Sequence, residues 1–205
     1  MHRLTDELRA DRRRALRGLL GGGGALLVAG SLGLQRLLSE PARAWALPGT
    51  RLTTPGTVTL IAYADDGRLL GPRRVPKLVL SDAQWHTRLS AAAFEVLRRD
   101  GTELAFSGPH EKPARPGLYR CAGCANALFD AATQFDSGTG WPSFWQPIAA
   151  QNVVQRTDSS LGMERIAVSC ACCDGHLGHV FDDGPAPTGL RYCMNSVALR
   201  FVPRQ

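Results

Sequence analysis

Residues 47–205 lack a large surplus of either charge, and this absence argues against nucleic acid binding. Residues 47–205 carry sixteen basic and fourteen acidic side chains, whereas residues 1–46 hold eight arginines against four acids. A surface that follows a phosphate backbone needs Lys and Arg clustered on the folded part of the molecule. Because the positive surplus lies in the first 46 residues, we expect no nucleic acid partner.

The chain also lacks internal repeats, and its only low-complexity stretch is the run of four glycines at residues 21–24. Apolar residues make up 44% and charged residues 20%, which is typical of globular proteins and not of disordered or fibrous ones. A length of 205 residues suits one domain with an additional segment and is too short for two large domains. We therefore expect one catalytic or binding domain.

The N-terminal segment lacks an uninterrupted apolar run of the ~20 residues that span a bilayer. Its regions follow the order of an export signal: three arginines at 12–14, a glycine-diluted apolar stretch at 18–34, and Ala-Trp-Ala at 44–46. The paired arginines resemble a twin-arginine leader. We expect residues 1–46 to be an export signal cleaved after Ala46, which predicts a periplasmic or other extracytoplasmic protein. The alternative is an uncleaved anchor, through which alone the protein would contact a membrane.

The remaining chain divides into an accessory segment, residues 47–75, and a mainly β domain, residues 76–205. Residues 58–63 read as a strand, and Asp-Asp-Gly then provides the turn of a hairpin. Residues 81–99 predict one or two short helices, because Ser-Asp at their start is a plausible helix cap. From residue 117 onward short runs of strand-forming residues alternate with turns, including a final strand at 197–202.

Six cysteines are the most informative residues. Four of them form two Cys-x-x-Cys knuckles, and four thiolates in that arrangement match a tetrahedral zinc site: Cys121, Cys124, Cys170 and Cys173. With every position filled by protein sulfur, such a site is structural, and we expect one zinc per chain. The alternative is a disulfide scaffold, which an oxidising compartment would favour.

Cys193 is the better candidate nucleophile of the two remaining cysteines, because Cys172 lies inside the second knuckle. A thiol is mostly protonated near neutral pH unless cationic or donor groups lie nearby, and Arg191 is such a group. On an extended strand Arg191, Cys193 and Asn195 project from one face. The alternative is that Cys193 is a small buried apolar residue.

Two histidines and a group of aromatic residues complete the candidate site. His176 and His179 are able to exchange protons near neutral pH, although they would also serve as metal ligands or structural residues. Residues 135–145 concentrate aromatic side chains in a turn-rich segment. An exposed indole there would form a wall against a substrate methyl group.

The chain from residue 75 to 203 resembles the B-type methionine sulfoxide reductases. The resemblance rests on Gly-Thr-Glu at 101–103, Phe-Ser-Gly at 106–108, both knuckles, Gly-Trp-Pro-Ser-Phe at 140–144, the long motif at 176–184 and Arg-Tyr-Cys at 191–193. It implies two antiparallel β-sheets with short flanking helices, structural zinc on the four cysteines, and reduction of the R epimer of methionine sulfoxide in oxidised proteins.

The resemblance also implies a role for each site residue. Cys193 attacks the sulfoxide sulfur and becomes a sulfenic acid, while His176 and His179 protonate or position the oxygen. Asn195 and Arg191 hold the reacting groups. The methyl-sulfur pocket is lined by Trp141 and Phe181.

Thr139 departs from the pattern of the family. In many relatives this position is a second cysteine that resolves the sulfenic acid. We therefore expect direct reduction by a thioredoxin-like partner, with Cys172 as the alternative. A non-catalytic zinc-clipped β module that binds ligand is the second functional class, although such a module needs neither Cys193 nor the paired histidines.

Overall fold

The structure is a computed structural model, and it describes residues 53–110 and 115–204. The export signal expected at residues 1–46 lies outside these residues, so it stays a prediction. Two strands come first, β1 (Thr57–Tyr63) and β2 (Leu69–Pro76), followed by helices α1 (Asp82–Arg88) and α2 (Ala91–Arg99). No helix in the described ranges is both long and apolar enough to cross a membrane.

Nine further strands follow the helices. They are β3 (Gly117–Cys121), β4 (Ala127–Asp130), β5 (Gln134–Phe135), β6 (Ser143–Phe144), β7 (Val153–Asp158), β8 (Arg165–Cys170), β9 (His176–Phe181), β10 (Arg191–Met194) and β11 (Leu199–Pro203).

Serine caps explain the positions of the two helices. Ser81 and Gln84 form a reciprocal capping box at the start of α1, and the hydroxyl of Ser90 accepts a hydrogen bond from Ala93 N–H in α2. Such caps satisfy N–H groups that have no partner within the helix. Asp100 ends α2 in the left-handed conformation. The predicted one or two short helices at 81–99 are therefore two.

The strands after the helices form two antiparallel sheets. The larger has the order β5-β6-β10-β9-β8-β7, and the smaller has the order β11-β3-β4. Two sheets with short flanking helices are the predicted fold, which is confirmed. The predicted final strand began too early, at residue 197, because residues Ser196–Ala198 form a short 3-10 turn before β11.

The core lies between the two sheets and α2. The rings of Phe129 and Phe144 stack at 4.3 Å between centroids, and Tyr119 meets Phe144 edge-on at 5.1 Å. Burying a side chain of this size stabilises the fold by about 1.5–3 kcal/mol. Leu97 of α2 and Leu177 of β9 are fully buried in the same cluster. This packing fixes β9 and β10 as a platform for the site.

One buried amide is prominent among the groups that attach the hairpin β1-β2 to the domain. Asn152 Oδ1 accepts a hydrogen bond from Ile61 N–H at 2.8 Å, and Asn152 Nδ2 donates to the carbonyls of Ile61 at 2.9 Å and Ala127 at 2.8 Å. Asn152 is completely buried. An unpaired buried amide is costly, so these bonds hold β1 against β4.

Candidate active site

Strand pairing places Cys193 and His179 directly opposite each other. β10 lies between β6 and β9, so Cys193 pairs with Ser143 on one side and with His179 on the other. His179 pairs in turn with Ala167 of β8. Opposite residues of antiparallel strands point to the same face with Cβ atoms about 4.5–5.5 Å apart. The sheet therefore presents the thiol and the imidazole side by side.

Gly178 permits the close approach of β9 and β10 at this point. A Cβ atom at residue 178 would lie 2.1 Å from the carbonyl oxygen of Cys193. Any side chain here would push the strand of Cys193 away from the two histidines. The glycine in the motif His-Leu-Gly-His thus allows β9 and β10 to pack closely at the candidate site.

Arg191 is held by Asp183 and by an aromatic ring. Its Nε and Nη2 atoms each donate a hydrogen bond of 2.8 Å to the two carboxylate oxygens of Asp183. Its guanidinium also lies 4.6 Å from the ring centroid of Phe181. A bidentate pair of this kind fixes the direction of the guanidinium. Arg191, Phe181 and Cys193 accordingly share one face of the sheet, because Arg191 pairs with Phe181 across β10 and β9.

Burial raises the pKa of the Cys193 thiol above its ordinary value. The positive charge of Arg191 and a hydrogen bond with Thr139 oppose this shift without cancelling it. The sequence led us to expect that Arg191 would favour the thiolate, and it does so only in part. Asp183 neutralises much of the guanidinium charge, and its own pKa is lowered by Arg191.

His179 is held by a carboxylate that the sequence did not indicate. Its Nε2 atom lies 2.8 Å from Asp158 Oδ2, and Arg165 Nη2 donates to the same oxygen at 2.8 Å. Hydrogen bonds from Ser160, and then the one with His179, keep the pKa of Asp158 well below its usual range. Asp158 is therefore an ionised partner for the imidazole at neutral pH.

His176 is the buried member of the histidine pair. Its ring is 2% exposed and lies 5.2 Å from the ring of His179, edge to face. Within the described residues neither histidine belongs to the group that is able to hold a metal. Both histidines also line a cavity beside the sheet.

Asn195 links three elements around the site. Its Oδ1 accepts a hydrogen bond from Glu103 N–H at 2.9 Å, and its Nδ2 donates to the Leu177 carbonyl at 3.0 Å. Glu103 in turn accepts the indole N–H of Trp141 on its carbonyl oxygen at 3.2 Å. The amide of Asn195 thus contacts backbone, and it positions the loop that holds Trp141.

Thr139 belongs to a chain of hydroxyl groups beside the thiol. Ser137 Oγ lies 2.8 Å from both Thr139 Oγ1 and Ser143 Oγ. A hydrogen bond with Thr139 is among the influences that lower the pKa of Cys193, so this group of hydroxyls lies close to the reacting sulfur.

The four cysteines of the two knuckles lie together as predicted. All four Sγ atoms are within 4.8 Å of one another and are able to hold a metal ion. The Sγ atoms of Cys121 and Cys173 are 3.7 Å apart, and those of Cys124 and Cys170 are 3.4 Å apart. A disulfide bond is ~2.05 Å long, and all six cysteines are free thiols, so the disulfide alternative is not favoured.

Cys172 lies outside this group and far from Cys193. Two strand spacings separate Cys193 from Ala167, and three residues of β8 separate Ala167 from Cys170, so each leg measures ~10 Å. Cys172 lies in the turn beyond Cys170. A disulfide requires Cα atoms within ~7 Å. The two legs together place Cys172 farther than that from Cys193.

Comparisons with known proteins cover this whole arrangement. A family model described as the SelR domain matches residues 89–203. The chain is 53% identical over 128 residues to the peptide methionine sulfoxide reductase MsrB of Bradyrhizobium diazoefficiens, which spans 62% of this chain and 92% of that protein. Identity to the protein of the same name from Pseudomonas aeruginosa is 52% over 121 residues, 59% of this chain and 92% of that protein. The matched region contains both knuckles, the histidine pair and Cys193.

Proposed function

The chain belongs to the SelR domain family, the B-type methionine sulfoxide reductases, and from this premise we propose that Cys193 reduces the R epimer of methionine sulfoxide in proteins outside the cytoplasm. The observation that supports the role of Cys193 is its position opposite His179, with Asp158 behind the imidazole. A ligand-binding module has no use for a thiol facing a histidine and its carboxylate, so we do not favour that alternative.

The chemistry is a two-electron transfer between two sulfur atoms. The thiolate of Cys193 attacks the sulfoxide sulfur and forms a sulfur–sulfur bond, and the sulfur–oxygen bond of the substrate breaks as the oxygen takes up two protons and leaves as water. Water then attacks the sulfur of Cys193, the sulfur–sulfur bond breaks to release methionine, and Cys193 becomes a sulfenic acid with loss of one proton, the first and reversible step of cysteine oxidation. The methionine sulfur is reduced by the two electrons that the cysteine sulfur loses, and no other oxidant is needed.

The histidines supply and hold the protons of this step. An imidazole within hydrogen-bond reach of a developing oxyanion acts as a general acid. Because Nε2 of His179 contacts Asp158, Asp158 fixes the orientation of the ring in front of the thiol. We assign His179 as the proton donor, and His176 as the buried neighbour that positions the oxygen.

The methyl-sulfur end of the substrate needs an apolar wall. Trp141 lies two residues before Ser143, the partner of Cys193 on β6, and its indole N–H is bound to the Glu103 carbonyl. Phe181 lies on the face of the sheet that carries Arg191 and Cys193. An aromatic face of fixed orientation receives the methyl group and leaves the oxygen toward the histidines, which distinguishes the two epimers.

Recycling of Cys193 requires a thiol from outside the chain. Cys172 is too far away, and Thr139 has no sulfur to form a disulfide. An external thiol attacks the sulfenic acid with loss of water, and its second thiol then releases Cys193 as the free thiol. We propose a thioredoxin-like dithiol as that reductant.

The four knuckle cysteines would hold structural zinc. A tetrahedral site with Zn–S bonds of ~2.3 Å places its sulfur atoms about 3.8 Å apart. The observed separations of 3.7 and 3.4 Å fit this donor set. The metal would stabilise the connection between the β3-β4 and β8-β9 turns, and no step of the reaction passes through it.

Export rests on the first 46 residues, whose arginine run, apolar stretch and Ala-Trp-Ala follow the order of a twin-arginine leader. Immunoblots of cell fractions would detect a shortened protein outside the cytoplasm. A full-length protein that stays in the membrane fraction would contradict cleavage after Ala46.

The reaction is tested with a peptide that carries resolved R and S sulfoxide epimers and dithiothreitol as reductant. We expect turnover of the R epimer alone, abolished in Cys193→Ser and kept in Cys172→Ser. Absence of turnover by folded, zinc-loaded protein would overturn the proposed function and favour the binding module.

A further inference from the structure

A cavity of about 540 Å³ extends from the two histidines away from Cys193. It lies over β8 and β7, and its lining includes His176, His179, Ala167, Arg165, Asp158 and Arg156. The cavity therefore borders the candidate active site at the two histidines. It is a separate space from the aromatic wall formed by Trp141 and Phe181.

Ala167 keeps this cavity open. It lies between His179 of β9 and Arg156 of β7 in a row of directly paired residues. Side chains of one row share a face of the sheet. Because the side chain of Ala167 is only a methyl group, it leaves open the space between the imidazole of His179 and the guanidinium of Arg156.

Among the charged side chains that line this cavity, Arg156 is the one without a partner in the part of the chain that the structure describes. Arg165 is neutralised by Asp158, and Asp100, which also lines the cavity, has a partner of its own. Arg156 forms no ion pair within residues 53–110 and 115–204, and it is exposed. A lone guanidinium beside a substrate site favours an anionic group.

Distances along the sheet determine which part of a peptide meets Arg156. Three strand spacings separate Cys193 from Arg156, ~14 Å in total. Alternate residues of an extended peptide point the same way and lie ~7 Å apart. The side chain of Arg156 covers the remaining distance, so it reaches a residue two positions from the oxidised methionine.

We propose that this cavity is a specificity subsite for a side-chain carboxylate two residues from the methionine sulfoxide, with Arg156 as its anchor. The proposal rests on the proposed function, since it names the class of substrate that the same site favours. Oxidised segments with Asp or Glu at that spacing would be reduced in preference to neutral or basic ones.

The test uses peptides with one R sulfoxide and Glu, Gln or Lys at the second position before or after it. We expect kcat/KM in the order Glu, Gln, Lys for one of the two positions, with a Glu to Gln ratio of about twofold to fivefold, as for an exposed ion pair. The ratio should fall toward one in about 0.5 M salt, because screening weakens the pair.

Two variants of the same residue identify the anchor. In Arg156→Gln the Glu to Gln ratio should fall to about one, and in Arg156→Glu the peptide with Lys should become the preferred one. The matched control is Arg73→Gln on β2, which removes an equal charge from an exposed strand position away from the cavity. It should keep the preference of the native protein.

The outcomes separate the two proposals. Equal rates for all peptides, or a Glu preference that survives Arg156→Gln, would overturn the subsite and leave the reductase function standing. No reduction of any peptide would overturn the proposed function itself. A charge-reversed preference in Arg156→Glu supports the subsite, because loss of structure would slow all the peptides alike.

Discussion

Nε2 of His179 lies 2.8 Å from Oδ2 of Asp158, at the end of β7 two strands away from β9. The same carboxylate accepts a hydrogen bond from Arg165 and a backbone hydrogen bond from Ser160, so its position is fixed from three sides. The orientation of the imidazole in front of Cys193 is thus set by Asp158, which acts on the reaction through His179. Asp158 is a positioning residue.

Replacing Asp158 should slow the chemical step and change substrate binding little. Asp158→Asn keeps the shape but removes the ionised partner, and we expect kcat about tenfold lower with KM within about twofold. Steady-state kinetics on the R sulfoxide peptide would measure both constants. Asp158→Glu should recover part of kcat, and Asp66→Asn in the turn of the hairpin is the matched control. An equal rise of KM in Asp158→Asn would argue for a binding role.

The pH dependence of Cys193 follows from the direction of its pKa. Because burial raises that pKa, the thiolate fraction is small at neutral pH and rises with pH above the ordinary range of a thiol. In Arg191→Met the stabilising charge is lost, so the midpoint should move to still higher pH and alkylation at about pH 7.5 should slow by about threefold to tenfold. Iodoacetamide labelling, followed for the peptide of Cys193 by mass spectrometry, measures this.

Arg200→Met is the control for that experiment, since Arg200 is an exposed residue of β11. Its labelling profile should equal that of the native protein. A midpoint that moves to lower pH in Arg191→Met would show that the guanidinium does not stabilise the thiolate.

The knuckles offer a matched pair of cysteine variants for the metal. Cys124→Ser removes one of the four clustered ligands, whereas Cys172→Ser removes a thiol of the same turn region that lies outside the cluster. We expect about one zinc per chain in Cys172→Ser, and loss of zinc with a lowered melting temperature in Cys124→Ser, because a structural metal contributes folding energy. Metal analysis and thermal unfolding measure the two effects. Equal zinc in both variants would contradict the four-cysteine site.

The attachment of the hairpin is tested through Asn152. Asn152→Ala removes one buried and two partly buried hydrogen bonds and leaves Ile61 N–H without its partner, so we expect the unfolding free energy to fall by about 2–4 kcal/mol. Urea unfolding measures it. Gln151→Ala, an exposed neighbour, should change stability by less than about 0.5 kcal/mol. A change that small in Asn152→Ala would mean that the hydrogen bonds of Asn152 do not stabilise the attachment of the hairpin.

Local patterns predicted more of the site than of its surroundings. The Cys-x-x-Cys spacings and the Arg-x-Cys strand are short motifs, so they were readable before the fold was known. Asp158 was not, because its contact with His179 depends on the register of β7, β8 and β9, and that register shifts between Val168 and Ser169. Asp183 lay inside a recognised motif, yet its bond to Arg191 requires the turn between β9 and β10. Burial, which governs the pKa of Cys193, is a property of the packed molecule.

Thr139 allows the recycling route to be changed. Its hydroxyl influences the pKa of Cys193, which places it close to the thiol, so we expect Thr139→Cys to bring a second thiol within reach of a disulfide. After one turnover without reductant, we expect the sulfenic acid of Cys193 to condense with the introduced thiol, with loss of one water and no thiol left at either position. The intact mass would then lie below that of the reduced variant by the mass of two hydrogen atoms, whereas the native protein would gain an oxygen. Thr87→Cys on α1 is the control, and it should behave like the native protein. A stable sulfenic acid in Thr139→Cys would show that residue 139 does not approach the reacting sulfur during turnover.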